Sequence, residues 1–403
     1  MRINVFVATA QLYNRTTAIP PNRLTAQPYE PPNRKNRKMI FVIADDITGA
    51  AEIAGMAHRY GLHTTLTTSV PSSIEEGADV VVFATDARSV SPAEAYAMTA
   101  EVAQAVTAWP CTGEEKGKII FRKTDSALRG NVREELQAII DHSRYSEALY
   151  LPANPSKGRV IRDGIYYIGD KPIAETDFRF DPEFPATTSS VAERFPGLPF
   201  ADAVTKADVD SAVASALATG DTLLAGAADL FCSLVEQVFG KESCTPVDTP
   251  SPLSLSSTMI VVRGSTQSKA LDLGIRVETM PVDVFYERAD AASWADAVIP
   301  RYTRDGSAVL TIGDKEVRKG KHAAVYLRKT MADVCCSLLS ARLPAELVIE
   351  GGATAFAILS QTPWRTFAVT DEIASGVVRL KPLNADIHIT MKPGSYAWGN
   401  LFG

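Results

Sequence analysis

Apolar runs of four to six residues recur along this chain, each closed by a polar cluster and followed by a stretch with helical spacing. Residues 39–44 open the series, and further runs stand at 64–67, 80–84, 118–122 and 148–151. Consecutive apolar, β-branched positions predict strands buried on both faces. Apolar spacing of three to four predicts helices over 50–60, 92–106, 132–142, 208–218 and 225–239. Residues 164–186 break the pattern with two tyrosines, glycine and three prolines, which predicts a hairpin and an irregular excursion. Beyond a Pro/Ser/Thr-rich stretch the alternation resumes, with strands at 259–263, 308–311, 346–349 and 386–391 and helices at 269–273, 323–340 and 355–360.

Strands that alternate with helices pair in parallel and are covered on both faces. The expected fold class is therefore α/β, as two α/β domains with mainly parallel sheets. The expected boundaries are 39–240 for the first domain, 241–257 for a linker and 258–403 for the second domain. Residues 1–38 stand apart. They hold Arg2, Arg15, Arg23, Arg34, Lys35, Arg37 and Lys38 against the single acid Glu30, and five prolines that spoil an amphipathic helix. The expectation is a disordered tail, or an upstream start with folding from Met39.

Composition narrows the function classes. The 403 residues are 46% hydrophobic and 22% charged, with net charge −6, so no basic excess points to nucleic acid. The longest apolar runs are far below the roughly 20 residues of a membrane helix. Cysteines at 111, 232, 244, 335 and 336 lack C-x-x-C spacing, and their odd number suits a reduced, cytoplasmic location. No histidine has ligand spacing to a cysteine or another histidine, which argues against zinc.

Ligands of parallel sheets gather at the carboxyl ends of strands, and the polar clusters sit there. Asp45-Asp46 suits Mg²⁺ binding, polyol hydrogen bonding or general-base work, although one aspartate there would also cap the next helix. Asp86-Ala87-Arg88-Ser89 follows the third run. Residues 123–131 pack Lys123, Asp125, Ser126, Arg129, Gly130 and Asn131 between a strand and a helix. Arg129 can hold a carboxylate bidentately and Lys123 can neutralise a phosphoryl group, with Arg88 and Arg159 as further carboxylate partners. Gly351-Gly352-Ala353-Thr354 joins a strand to a helix start, where free amides favour an anion. Gly264-Ser265 and Lys392-Pro393-Gly394 occupy similar places, which favours a nucleotide in the second domain. No Walker loop and no G-x-G-x-x-G is present, so a dinucleotide oxidoreductase is disfavoured.

Ile43-Ala44-Asp45-Asp46-Ile47-Thr48-Gly49-Ala50 resembles the opening signature of the four-carbon acid sugar kinases. Residues 123–131 resemble their second signature, Lys-x-Asp-Ser-Thr-Leu-Arg-Gly-Asn. Pro152-Ala153-Asn154-Pro155 with Gly158-Arg159, then Gly164, Gly169, Glu175-Thr176 and Asp181-Pro182, resembles the third. The resemblance runs from Met39 to the C-terminus. It implies ATP-dependent phosphorylation of the terminal hydroxyl of threonate, erythronate or an oxo-tetronate, in a cleft between a substrate domain and a nucleotide domain. It implies ATP with Mg²⁺ and a small-molecule sugar acid as partner, with neither nucleic acid nor membrane, and leaves room for a homodimer. On this expectation the sugar acid is held by Asp45, Asp46, Arg88, Ser126, Arg129, Gly130, Asn131 and Arg159. Asp125 or Asp46 deprotonates the hydroxyl, and Lys123 with Mg²⁺ screens the phosphoryl charge. Ser265, Ser268, Gly351, Gly352, Thr354 and Gly394 carry the nucleotide, and the metal ligands are left unassigned.

The second half departs from the family pattern. Gly-Gly-Asp/Glu-Thr-Ala becomes Gly351-Gly352-Ala353-Thr354, without the acid, and Lys-Ser-Gly becomes Lys392-Pro393-Gly394. The alternative expectation is a non-catalytic sugar-acid sensor with a degenerate nucleotide site.

Overall fold

The structure, a computed structural model, describes residues 38–109, 117–181, 183–240, 252–254, 257–264, 272–313, 320–394 and 396–402. The expected N-terminal extension apart from Lys38, most of the expected linker, Cys111 and Cys244 lie outside these residues.

β1 (Met39–Ala44) is apolar throughout and buried beyond its first residue. Each large side chain removed from water there contributes about 1.5–3 kcal/mol, and the backbone can then be satisfied only by neighbours on both sides. α1 (Ile47–Arg59) follows, with Asp46 as its N-cap. It begins three residues earlier than its apolar spacing predicts, because the cap lies within the acidic pair. β2 (Thr64–Thr67), β3 (Val80–Ala84), α2 (Pro92–Ala108), β4 (Lys118–Lys123), α3 (Val132–Asp141) and β5 (Glu147–Leu151) complete the first run. α2 starts sharply because Ser91 and Glu94 form a reciprocal capping box around Pro92, a device that contributes about 1 kcal/mol.

The chain then leaves the main sheet. β6 (Arg159–Arg162), β7 (Ile165–Ile168) and β8 (Lys171–Pro172) make a small antiparallel sheet. After α4 (Val191–Arg194) and α5 (Lys206–Thr219), β9 (Thr222–Gly226) returns between β4 and β5, and α6 (Ala228–Phe239) packs beyond it. Residues 225–226, expected in a helix, belong to β9. Alanine and glycine carry no β-branched signal, whereas the parallel pairing with β4 and β5 decides the backbone.

In the second half, β10 (Met259–Arg263), β11 (Val277–Thr279), α7 (Val282–Phe285), α8 (Ala291–Asp305), β12 (Ala308–Thr311) and α9 (Lys321–Ala341) come first. β13 (Glu346–Glu350), α10 (Gly352–Gln361), β14 (Thr366–Ala374), β15 (Val377–Pro382) and β16 (His388–Lys392) follow. Of the helix expected at 269–273, Asp272 and Leu273 are described and are not helical.

One sheet runs through both halves in the order β11-β12-β10-β13-β16-β15-β14-β2-β3-β1-β4-β9-β5. Its two flanks are parallel, and β14–β15, β15–β16 and β14–β2 are the antiparallel pairs between them. The halves are therefore zipped edge to edge at Thr366–Thr67. α1 lies against this seam, and a Cβ at Gly55 would stand 2.7 Å from Val378 Cγ2. That close approach explains why α1 is built of alanine and glycine and is buried over most of its surface.

Each half reverses strand order once. β1 has β3 on one side and β4 on the other, and β10 has β12 and β13. Such switch points open a crevice at the carboxyl ends of strands, and the two polar regions of the sequence stand at these two places. No helix among the described residues is long and apolar enough to cross a membrane.

Candidate active site

Asp45 is buried at the end of β1, with 1% of its surface exposed. Arg88, from the loop after β3, clamps it bidentately: Nε donates to Oδ2 at 2.9 Å and Nη2 to Oδ1 at 3.0 Å. The same Nη2 donates to Asp46 Oδ1 at 2.8 Å. Beneath them Arg122 is fully buried, with Nη1 3.9 Å from Asp45 Oδ1 and its other terminal nitrogen on Glu135. Burial alone would raise the Asp45 carboxyl, but the guanidinium groups of Arg88 and Arg122 hold it below the usual carboxylate range. The same aspartates hold the Arg88 guanidinium charged against its own desolvation.

Asp46 has two duties. It accepts from the Gly49 amide at 3.0 Å and from the Thr48 hydroxyl, as a helix cap does, and it also accepts from Arg88. The loop after β4 supplies the other wall. Asp125 accepts from the Ala127 amide at 2.8 Å and from Arg129 Nε and Nη2, both at 2.9 Å. Burial would raise its carboxyl, but Arg88 and Arg129 hold it far below the usual range.

Gly130 has φ 97°, and a Cβ there would stand 2.8 Å from Asp45 Oδ2. Only glycine allows both the left-handed backbone and that approach. Asn131 Nδ2 donates to the carbonyls of Ala87, Arg88 and Val90 at 3.0, 3.4 and 3.1 Å, so this amide fixes the loop that carries Arg88. Arg159 donates to the carbonyl and hydroxyl of Ser126. Arg129 and Arg159 both lie over Phe178, 6.0 and 5.8 Å from its ring centre. Lys123 is buried, with Nζ donating to the Thr124 carbonyl at 3.0 Å and 3.5 Å from Glu52, which Lys157 also contacts at 2.6 Å.

All the residues expected to hold the sugar acid thus meet at the carboxyl ends of β1, β3 and β4, in their own loops or the hairpin beside them. The structure adds Thr48, Glu52, Arg122, Glu135, Lys157 and Phe178. Only the buried charge Arg122, which follows the apolar run Ile119-Ile120-Phe121, left a readable signal.

On the second half, Gly351 has φ 104° and begins α10, whose first-turn amides are available to an anion. Thr354 is buried, and a Cβ on Gly264 would collide with its side chain. Below the turn Lys392 is buried. Its Nζ donates to Glu350 Oε1 at 2.5 Å and to the carbonyls of Pro393 and Gly394 at 3.2 Å. Arg263 Nε stands 3.5 Å from Glu350 Oε2. Ser265 and Ser268 lie outside the described residues. A Cβ on Gly352 would stand 2.7 Å from Thr48 Cγ2, so the start of α10 rests on the start of α1. Nearby, a groove of about 480 Å³ opens between Lys157 and Arg159 on one side and Ser375, Tyr396 and Gly399 on the other.

Residues 40–196 match the sugar-binding N-terminal domain family. The chain is 34% identical over 158 residues to a D-erythronate kinase of Heliobacterium modesticaldum, covering 38% of this chain and 35% of that protein. It is 33% identical over 156 residues to a D-threonate kinase of Salmonella typhimurium, covering 39% and 36%. In these matches the chain spans about a third of the length of its relatives. A 3-oxo-tetronate kinase of Cupriavidus necator is 26% identical over 426 residues, covering 91% of this chain and 96% of that protein. Two solved structures share the fold at 18% identity. A Salmonella typhimurium protein has a TM-score of 0.69 and covers 89% of this chain and 96% of its own, and a Haemophilus influenzae protein has 0.63 with 90% and 98%. The acid–arginine cluster thus lies within the residues that match the sugar-binding N-terminal domain, and the chain is similar to D-erythronate, D-threonate and 3-oxo-tetronate kinases.

Proposed function

We propose that the protein transfers the γ-phosphoryl group of ATP to the terminal hydroxyl of a four-carbon sugar acid, of the threonate, erythronate or oxo-tetronate type. The observation that carries this reading is the contact of Gly352 with Thr48. It brings the anion-binding start of α10 beside the acid–arginine cluster that Asp46 and Arg88 share. A phosphate donor on one switch point then stands next to an acceptor on the other.

On this reading the division of labour follows the switch points: residues 39–240 bind the sugar acid and residues 258–403 bind the nucleotide. The α10 turn of Gly351, Gly352 and Thr354, together with Gly394, cradles phosphate through backbone amides, to which Ala353 contributes as well as an acid would. Ser265 and Ser268 would extend the same cradle. The buried Lys392 holds Glu350 and the carbonyls of Pro393 and Gly394, so its charge is spent on keeping the turn in shape.

Arg88 and Arg129 are each committed to aspartates, and Arg159 binds Ser126. These guanidinium groups bind the substrate carboxylate through their outward N–H groups while the aspartates hold them rigid. Lys123 approaches the transferring group, and Glu52 between Lys123 and Lys157 keeps both ammonium groups in place. Asp125 is too strongly held by Arg129 to accept a proton readily and serves to orient that arginine. Among the described residues no three metal-ligating side chains stand together. The metal enters as part of the substrate MgATP, bound chiefly by phosphates.

Titration calorimetry with MgATP, alone and with each acid, tests the reading against the sensor alternative. A kinase binds the nucleotide, with affinity lost in a Gly351→Val variant. A sensor binds the acid and no nucleotide.

A further inference from the structure

Four aspartates stand at the carboxyl ends of the strands that frame the cluster, and three of them are fully engaged. Asp45 takes both prongs of Arg88, Asp46 takes the Gly49 amide, the Thr48 hydroxyl and Arg88, and Asp125 takes the Ala127 amide and two donors of Arg129. A general base needs a carboxylate oxygen free to meet the substrate hydroxyl. Asp86 is the exception, since its carboxylate accepts no hydrogen bond from any described residue. It is half-buried, two residues beyond β3 and two before Arg88. Its backbone is left-handed, with φ 58° and ψ 29°, a conformation that costs a non-glycine residue roughly 1 kcal/mol and concentrates at working sites. The charges that act on it are Asp45 and Asp46 from the β1–α1 turn, Arg88 from its own loop, and Arg328 from α9 of the other half.

We propose that Asp86 is the proton acceptor of the phosphoryl transfer, an assignment that rests on the kinase reading above. The substrate oxygen forms a bond to the γ-phosphorus of ATP, and the bond from that phosphorus to the β,γ-bridging oxygen breaks, its electron pair leaving with ADP. The hydroxyl proton passes to the Asp86 carboxylate and from there to solvent. Burial pushes this carboxyl up to about 7, where a carboxylate both exists at neutral pH and has real proton affinity. Arg328 opposes that rise, which links the base to the half of the molecule that carries the nucleotide.

Asn and Gly both tolerate the left-handed backbone, so Asp86→Asn and Asp86→Gly remove the carboxylate without disturbing the loop. In the full chain with MgATP and an active acid, both variants lower kcat by about 100-fold or more. The acid KM and the ATP Kd stay within about threefold of the parent. The acid limb of the kcat/KM profile, with its midpoint near the value given for Asp86, disappears in both. Glu135 is also raised by burial, so the limb is assigned from its loss in the variants and not from the parent profile. Arg328→Ala moves the limb to higher pH. A variant that keeps kcat within about tenfold and retains the limb overturns the assignment, as does one that loses acid or ATP binding along with turnover. A parent protein that turns over no acid overturns the kinase reading itself, a result distinguishable because it precedes any variant.

Discussion

Gly352, at the first turn of α10, and Thr48, at the first turn of α1, stand so close that a Cβ on the glycine would lie 2.7 Å from the Thr48 methyl and 3.1 Å from its hydroxyl. The hydroxyl is itself donated to Asp46. A residue of the turn proposed to hold phosphate therefore rests on a residue that fixes the acidic pair, although 304 positions separate them in sequence (48 to 352). Gly352→Ala is expected to cost about 1–3 kcal/mol through overpacking and to weaken both ATP binding and turnover. Thr48→Ser removes the methyl and keeps the hydroxyl, so the double variant recovers part of both losses. Thermal unfolding and nucleotide titration of the three variants check this, and additive losses would contradict it.

Asn131 predicts a different signature. Its amide holds three carbonyls of the loop that carries Arg88. Asn131→Ala frees that loop and is expected to raise the sugar-acid KM by roughly tenfold while leaving ATP affinity unchanged. Initial rates with each substrate varied in turn separate the two effects.

The buried pair under the second turn should report on stability. Lys392→Met leaves Glu350 to Arg263 and its other contacts in a site where both partners are almost wholly buried. A loss of about 3 kcal/mol is expected, much of it recovered by adding Glu350→Gln. Urea unfolding of the single and double variants provides the measurement.

The pH dependence of stability has a definite sign at Asp86. Burial raises its carboxyl in the folded chain to about 7, from an unfolded value near 3.9. Folding is therefore penalised above the folded value, with the penalty fading as pH falls toward the unfolded one. Asp86→Asn removes that penalty. Its stability relative to the parent is expected to improve between pH 5 and pH 8 by on the order of 1 kcal/mol, after allowance for partial exposure. Equal effects at both pH values would contradict the burial argument. A gain in stability with a loss of turnover is the trade-off expected of a working group held against its preference.

Much of this architecture was legible in the sequence, and the reason is physical. β1, β3, β4, β10 and β13 are buried on both faces, so their apolar runs stand out without alternation. The polar residues that end them mark the carboxyl edge, which is how Asp45, Arg88, Lys123 and Gly351 could be singled out. The sequence was silent where the signal depends on partners. β14 is half-buried and polar enough to pass for loop, and only its pairing with β15 and β2 makes it a strand. α8 carries Pro300 inside it, a residue that argues against a helix from local rules. Arg88 and Arg129 read as free guanidinium groups, because spacing along a chain cannot reveal that Asp45 and Asp125 engage them. The same blindness hid Asp86, whose distinction is the partner it lacks.

The most direct test is a coupled ADP-release assay with MgATP against threonate, erythronate and oxo-tetronate isomers, each paired with the alcohol analogue lacking the carboxylate. The account predicts turnover with at least one acid, none with its alcohol, and a product phosphorylated at the terminal hydroxyl. Folded protein that binds ATP yet releases no ADP with any acid, or that phosphorylates acid and alcohol alike, would contradict it.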